Sequence, residues 1–420
     1  MQHFLVFGSH PRLSLAEAKA VLGGRMPTLV GPVALLAETE SWDGAWVQER
    51  LAGTIKLGDV LFSCPLKELE VDKIVAALPT REGTSKLTFA VTTYGVPAIT
   101  FQRLPLELKK AMKMFGRSVR WFADEQGEVS PAAVAKLGLT TEGYDLVIAV
   151  ERGVAHVCLT THVQNADAWS LRDYGRPARD SKNGMLPPKL ARMMVNLGIG
   201  TARGSNPSAL RAPPLTLRGR SESISELDSP FTILDPFCGS GTVLMEAALM
   251  EQEAKIIGSD IDAKQVTDTN QNLDWMVEQK LISGEQRETI SCFPHDVRVI
   301  DRFIHEPVEL VVTEGFLGTP LRGHEPALYL EREVRAISEL WRETLASLAK
   351  VQPPGGVLVG IWPILQTPHG MAAVDLSTTV GQFGYELVNP LEGWGTGTQE
   401  LVYARVDQLV KRRVVVLRRA

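Results

Sequence analysis

The amino-acid sequence predicts an α/β chain, with a doubly wound, largely parallel sheet in its C-terminal half and an α+β module before it. Three observations carry this. From residue 231 onward, short apolar runs recur at 231–234, 254–259, 289–293, 308–313, 356–362, 386–389 and 400–406, with helix-compatible stretches between most of them. Leu310-Val311-Val312 and Val357-Leu358-Val359-Gly360-Ile361 are almost continuously apolar, as strands covered on both faces are. Finally, Leu234-Asp235-Pro236-Phe237-Cys238-Gly239-Ser240-Gly241-Thr242 passes from a strand through a glycine turn into an apolar helix. A further strand, 413–417, is expected to extend the sheet edge.

Upstream, strands are expected at 3–8, 30–37, 55–62, 87–93, 119–122, 146–150 and 155–160, and helices at 72–78, 105–114 and 131–137. Ser14-Leu15-Ala16-Glu17 reads as a capping box that opens a helix closed by Gly23-Gly24. Because these elements do not alternate strictly as βα units, they point to compact α+β modules. A helix is expected over 189–198, prepared by Pro187 and Pro188, with Leu190, Met193, Met194 and Leu197 on one stripe. The Ser-, Pro-, Arg- and Gly-rich stretch 200–230 has little to bury and is read as a flexible basic loop.

At 420 residues, the chain has room for two or three domains. The expected boundaries are 1–80, 81–170 and 171–420. No apolar run reaches the roughly 18–20 residues of a membrane span, and the first residues lack the basic flank of a signal peptide. Cys64, Cys158, Cys238 and Cys292 lie far apart with no Cys-x-x-Cys, which fits reduced thiols and a cytoplasmic setting. The histidines show no ligand spacing, so no metal is expected. Net charge is −5, yet residues 172–220 hold ten Lys and Arg against two Asp. That stretch reads either as a phosphate-binding footprint or as a solvated basic loop. Lys109, Lys110, Lys113, Arg117 and Arg120 form a smaller cluster, as do Lys411, Arg412 and Arg413 with Arg418 and Arg419.

The glycine turn makes a nucleotide-cofactor cradle, because glycines allow close backbone approach and the N–H groups at a helix start face the ligand. An acid at the strand end, Asp235, would repel a pyrophosphate but suits the ammonium and sulfonium of S-adenosylmethionine. Phe237, Gly239 and Gly241 would line that cradle. Asp260 follows Asp235 by 25 residues, near the spacing at which an acid binds a ribose diol; its other reading is a helix cap. Asp262 would either share the ribose or cap the following helix, with the cap the favoured reading. Asp296, after the third strand, would accept an adenine amino group or be an ordinary loop aspartate.

The fourth strand ends in Thr313-Glu314-Gly315-Phe316. To methylate an exocyclic amine, a site needs acceptors for its two N–H bonds and a surface on which the base stacks. Glu314 and Phe316 are the acid and the aromatic residue at that place. Cys238 is read as a small filler, and His295 and His324 as loop residues.

These motifs, with Arg172-Asp173-Tyr174-Gly175-Arg176-Pro177, Leu186-Pro187-Pro188-Lys189-Leu190-Ala191 and Asn196-Leu197, resemble the archaeal and eukaryotic tRNA guanosine-10 N2-methyltransferases. The resemblance covers about 172–408 well; upstream, Phe115-Gly116-Arg117-Ser118-Val119-Arg120 and the strands around 144–161 are similar to THUMP. It implies a Rossmann-like methyltransferase domain preceded by a ferredoxin-like, THUMP-like RNA-binding module. It also implies S-adenosylmethionine as cofactor and tRNA or another structured RNA as partner, gripped by Arg172, Arg176, Arg179 and Lys189. A monomer is expected, with an activating protein partner left open. The family's Asp/Asn-Pro-Pro-Tyr/Phe motif is here Glu314-Gly315-Phe316-Leu317, an acid one methylene longer on a glycine hinge. Two alternatives stay open: a DNA adenine-N6 or cytosine-N4 methyltransferase, and an RNA-binding protein whose substrate loop has decayed.

Overall fold

The computed structural model describes residues 1–23, 26–37, 43–82, 86–123, 128–179, 185–205, 231–394 and 400–420. Of the expected loop 200–230, residues 206–230 lie outside the described residues, and 200–205 continue the helix Pro188–Ser205. The chain divides into two units, Met1–Ser14 with Gly24–Ala168, and Leu15–Gly23 with Trp169–Ala420.

In the first unit the strands are β1 (His3–Phe7), β2 (Thr28–Val30), β3 (Val33–Leu35), β4 (Thr54–Pro65), β5 (Leu87–Tyr94), β6 (Val119–Trp121), β7 (Tyr144–Glu151) and β8 (Val154–Val163). They form one sheet ordered β2-β3-β1-β4-β8-β7-β5-β6. Strands from either side of the expected 80/81 boundary therefore share a sheet, joined where β4 pairs antiparallel with β8. Alternate side chains along β7 enter two different cores, so Tyr144 to Val150 are buried while Glu151 is partly exposed. Leu146 and Ile148 pack with Ile74 and Leu108 from the helices Val71–Ala77 and Leu104–Ala111, while Val147 and Ala149 pack with Phe4, Val6 and Val33.

The first helix departs from expectation. It spans Pro11–Leu22 and so begins before the supposed capping box. Pro11, with its preset φ, suits a first helical position. Ser14 is therefore internal, and its Oγ donates to the carbonyls of His10 and Gly53, both at 3.0 Å. Glu17 is buried and accepts a bond of 2.8 Å from Asn196 instead of capping the helix start.

The second unit holds β9 (Thr232–Asp235), β10 (Lys255–Asp260), β11 (Ile290–Pro294), β12 (Leu310–Thr313), β13 (Val357–Thr367), β14 (Gly370–Ala373), β15 (Tyr385–Val388), β16 (Leu401–Tyr403) and β17 (Val410–Arg419). The sheet runs β11-β10-β9-β12-β13-β17-β15, parallel from β11 to β13, with β14 on β13 and β16 on β17. This is the expected doubly wound, Rossmann-like sheet. The chain winds outward from β9 through β10 to β11, then crosses to β12 on the other side. That reversal opens a crevice at the carboxyl ends of β9 and β12.

The last strand does not extend the edge. β17 lies inside the sheet, antiparallel to β13 on one side and to β15 and β16 on the other. Its Val414-Val415-Val416-Leu417 core is buried, and the flanking arginines find partners within the unit. Arg413 meets Glu400 at 3.1 Å, and Arg419 donates to the carbonyl of Gly384 at 2.8 Å. On one face of the sheet the helix Ala327–Leu348 brings Ile337, Trp341 and Leu345 against Val311 and Leu358. Among the described residues no helix is long and apolar enough to cross a membrane, and no cluster of His, Cys, Asp and Glu could hold a metal.

Candidate active site

The glycine turn leaves β9 at Asp235 and enters the helix Thr242–Met250. Gly239 has φ +51° and Gly241 φ +86°, both in the left-handed region that favours glycine. A Cβ on Gly241 would stand 2.9 Å from Thr269, so packing also requires a glycine there. A Cβ on Gly239 would meet only Gln265, at 4.0 Å, so that side of the turn is open. The turn is stitched to its neighbours: Cys238 N donates to the Ser259 carbonyl at 2.9 Å, and Thr269 Oγ1 to the Gly239 carbonyl at 2.6 Å.

Three acids stand at the ends of adjacent parallel strands. Asp235 is 3 % exposed and accepts from the Phe237 amide at 3.1 Å. Burial foremost, with Asp260 and Glu314 nearby, pushes its carboxyl up to about 7. Asp260 closes β10 and accepts from Gly239 N and Asp262 N, both at 3.0 Å, one on each oxygen. The Ile261 backbone N–H also reaches this carboxylate, which still keeps acceptor capacity for a ligand hydroxyl. Asp262, not Asp260, caps the helix Ala263–Glu278, accepting from Lys264 N at 2.8 Å.

Glu314 follows β12 and is half-buried. Its Oε1 takes a 2.5 Å bond from Nε of Arg412, a buried residue of β17 that is 98 positions away in sequence. Burial pushes the Glu314 carboxyl up, and the Arg412 guanidinium opposes that shift. Gly315 has φ +71°, and a Cβ there would stand 2.9 Å from the Trp341 indole. Phe316 next to it is 49 % exposed. Phe237 is half-buried beside Trp341, ring centroids 6.5 Å apart.

Asp296 is engaged locally. It caps the short turn Val297–Arg302 and takes Arg298 on both oxygens, Nε at 2.9 Å and Nη2 at 2.6 Å on Oδ2. That guanidinium holds its carboxyl below the usual aspartate range.

The expected basic footprint divides in two. Arg172 and Arg176 are 7 % and 2 % exposed and tie the unit together from within. Arg172 Nε and Arg192 Nε each bond one oxygen of the buried Glu246 at 2.7 Å, and Arg176 Nη1 donates to Thr242 Oγ1 at 2.7 Å. Trp169 lies under Arg172, Arg192 and Lys189, at 4.2, 4.9 and 5.7 Å. Arg179 is exposed, over the Tyr174 ring, and Lys189 is half-buried. The surface reading of Arg172 and Arg176 is thus corrected: a count of charges does not see that Glu246 and Thr242 of the helix Thr242–Met250 receive them. Trp341 and Thr269 were also not singled out from sequence, and Arg412 was read only as one of a basic cluster with Lys411, Arg413, Arg418 and Arg419. Only Glu246 gave a local sign, a lone acid in an otherwise apolar helix.

Residues 223–291 match the family model described as "UPF0020: RMKL-like, methyltransferase domain", a stretch that contains the glycine turn and Asp260. The chain is similar to a tRNA (guanine(10)-N2)-dimethyltransferase of Methanothermobacter thermautotrophicus, 37 % identical over 90 residues. That match is 21 % of this chain and spans 18 % of the relative's length. Among solved structures, TrmN from Thermus thermophilus matches with a TM-score of 0.53 at 16 % identity, covering all of both chains, which is a likeness of fold.

Proposed function

We propose that this chain is an S-adenosylmethionine-dependent RNA methyltransferase acting on a guanine N2 of tRNA. The observation that carries the reading is the convergence of Asp235, Asp260 and Glu314 at neighbouring strand ends beside a turn whose Gly239 side is open. These residues fit the cofactor. A buried carboxyl at Asp235 suits a cationic end, and Asp260 keeps lone pairs for a diol. Phe237 and the Gly239–Gly241 turn would line the remainder, with Asp296 at the adenine end once its Arg298 partner yields. When bound, the cofactor supplies an electrophilic methyl group.

The chain's own residues would then do the positioning. Glu314 keeps its second oxygen for one amine N–H, and a neighbouring backbone carbonyl takes the other. The exposed ring of Phe316 offers a stacking surface for a base turned out of its helix. Outside the site, Arg179 and Lys189 face or border solvent and suit RNA phosphates, as do the exposed Lys109, Lys110, Lys113 and Arg120 of the first unit. Arg172 and Arg176 serve RNA indirectly, by holding that segment. The name of the archaeal relative supports guanine N2 as the target.

The test is incubation with labelled S-adenosylmethionine and either unmodified tRNA transcripts or duplex DNA, followed by nucleoside identification. N2-methylguanosine from tRNA is the expected product. Label in DNA alone would overturn the reading in favour of an adenine-N6 or cytosine-N4 enzyme. Cofactor binding with no transfer to either substrate would point to an RNA-binding protein with a decayed loop.

A further inference from the structure

Glu314 has a mechanical difficulty. It stands between the end of β12 and Gly315, a residue at φ +71° with no side chain of its own to brace the loop. A flexible carboxylate is a poor acceptor, because each rotamer it visits off-target is lost to the reaction. What restrains it comes from the far side of the sheet. Arg412 shares a face of β17 with Val414 and Val416, lies opposite Pro363 of β13 and Tyr403 of β16 in the strand register, and is 5 % exposed. A guanidinium so enclosed has little rotamer freedom, and its Nε reaches Glu314 Oε1 at 2.5 Å.

We infer that Arg412 is a positioning residue for methyl transfer, anchoring one oxygen of Glu314 so that the other is presented to the substrate amine. The inference rests on the assignment of Glu314 as amine acceptor. Among the described residues, Arg412 from β17 and Asp235 from β9 interact electrostatically with Glu314. Burial favours a protonated Glu314, which would have lost acceptor capacity, and Arg412 opposes it. Anchoring and charge therefore act through one bond. Arg412 touches no substrate in this account; it acts through Glu314.

The experiment compares full-length wild type, R412K, R412M and E314Q in transfer of labelled methyl to unmodified tRNA transcript across pH, with cofactor binding measured by calorimetry. R412M is expected to lower kcat at neutral pH by about tenfold or more, with cofactor affinity within about twofold. The acid limb of its kcat profile should move upward by about one pH unit. R412K keeps the charge and should recover part of the rate and the native limb. A structural role alone would leave the limb in place in every variant that binds cofactor. Native rate and profile in R412M would overturn the inference, and so would R412M and R412K sharing one loss with an unmoved limb. If R412M does not fold, R412Q removes the charge on a polar side chain in its place, and a native rate with an unmoved limb in R412Q overturns the inference equally. The underlying reading fails separately, and visibly: wild type would transfer nothing, or E314Q would match it.

Discussion

In the first unit, Asp145 lies in the middle of a sheet covered on both faces, 0 % exposed, with Lys56 Nζ at 2.9 Å and Thr160 Oγ1 at 2.7 Å on one oxygen. In the second unit, Glu314 lies at a strand end, with Arg412 on one oxygen and solvent still in reach of its side chain. Both are carboxylates paired with a basic residue brought from a distant strand. The first pair is enclosed by its strands and can serve only the fold. The second sits where the winding of the sheet reverses and the crevice opens. On the proposed reading, burial of charge marks function only where topology leaves one side of the pair accessible.

That contrast can be broken by experiment. The largest effect is expected from Lys56→Met, which leaves Asp145 charged and unpaired in the interior. Urea denaturation should show a loss of about 3–5 kcal/mol; a loss below about 1 kcal/mol would mean that the pair does not hold this sheet. Glu314→Ala should act the other way round. Methyl transfer should fall by about a hundredfold or more with cofactor affinity close to wild type, an effect on chemistry beyond the loss of stability that follows from leaving Arg412 buried without its partner. Retained transfer would remove Glu314 from the site and erase the distinction between the two pairs.

The smallest effect concerns Asp235, and its sign follows from the raised carboxyl. An unfolded aspartate ionises near 3.8, whereas this one holds its proton up to about 7. Its contribution to stability is therefore complete below about pH 4 and is lost as pH rises through about 7. A cationic ligand selects the ionised form, so affinity should rise with pH through the same value. Calorimetry with S-adenosylmethionine should show a gain of roughly eightfold between about pH 6 and pH 7.5. Asp235→Asn should bind weakly with no such slope; a slope that persists in the variant would assign it to another group.

Much of the second unit was legible from short stretches of chain. The runs at 231–234, 254–259 and 308–313 are strands within one or two residues at each end, because apolar continuity reports burial on both faces wherever it occurs. The turn at Gly239 and Gly241 was legible for a similar reason, since positive φ selects glycine locally. The misreadings have one origin. Val414-Val415-Val416-Leu417 reads as an edge strand because arginines flank it, and nothing nearby in sequence shows that Gly384, Glu400 and Glu314 will receive them. Arg172 and Arg176 read as surface for the same reason.

By itself, then, the sequence determined which segments become strands, where the chain turns tightly, and which acids stand at strand ends. Each of these depends on a few consecutive residues. Tertiary structure alone decided which charges meet. Arg412 reaches Glu314, and Arg172 reaches Glu246, because strand order and helix packing bring together positions 98 and 74 residues apart. A carboxylate's partner, and hence its charge and its freedom, is a property of that juxtaposition.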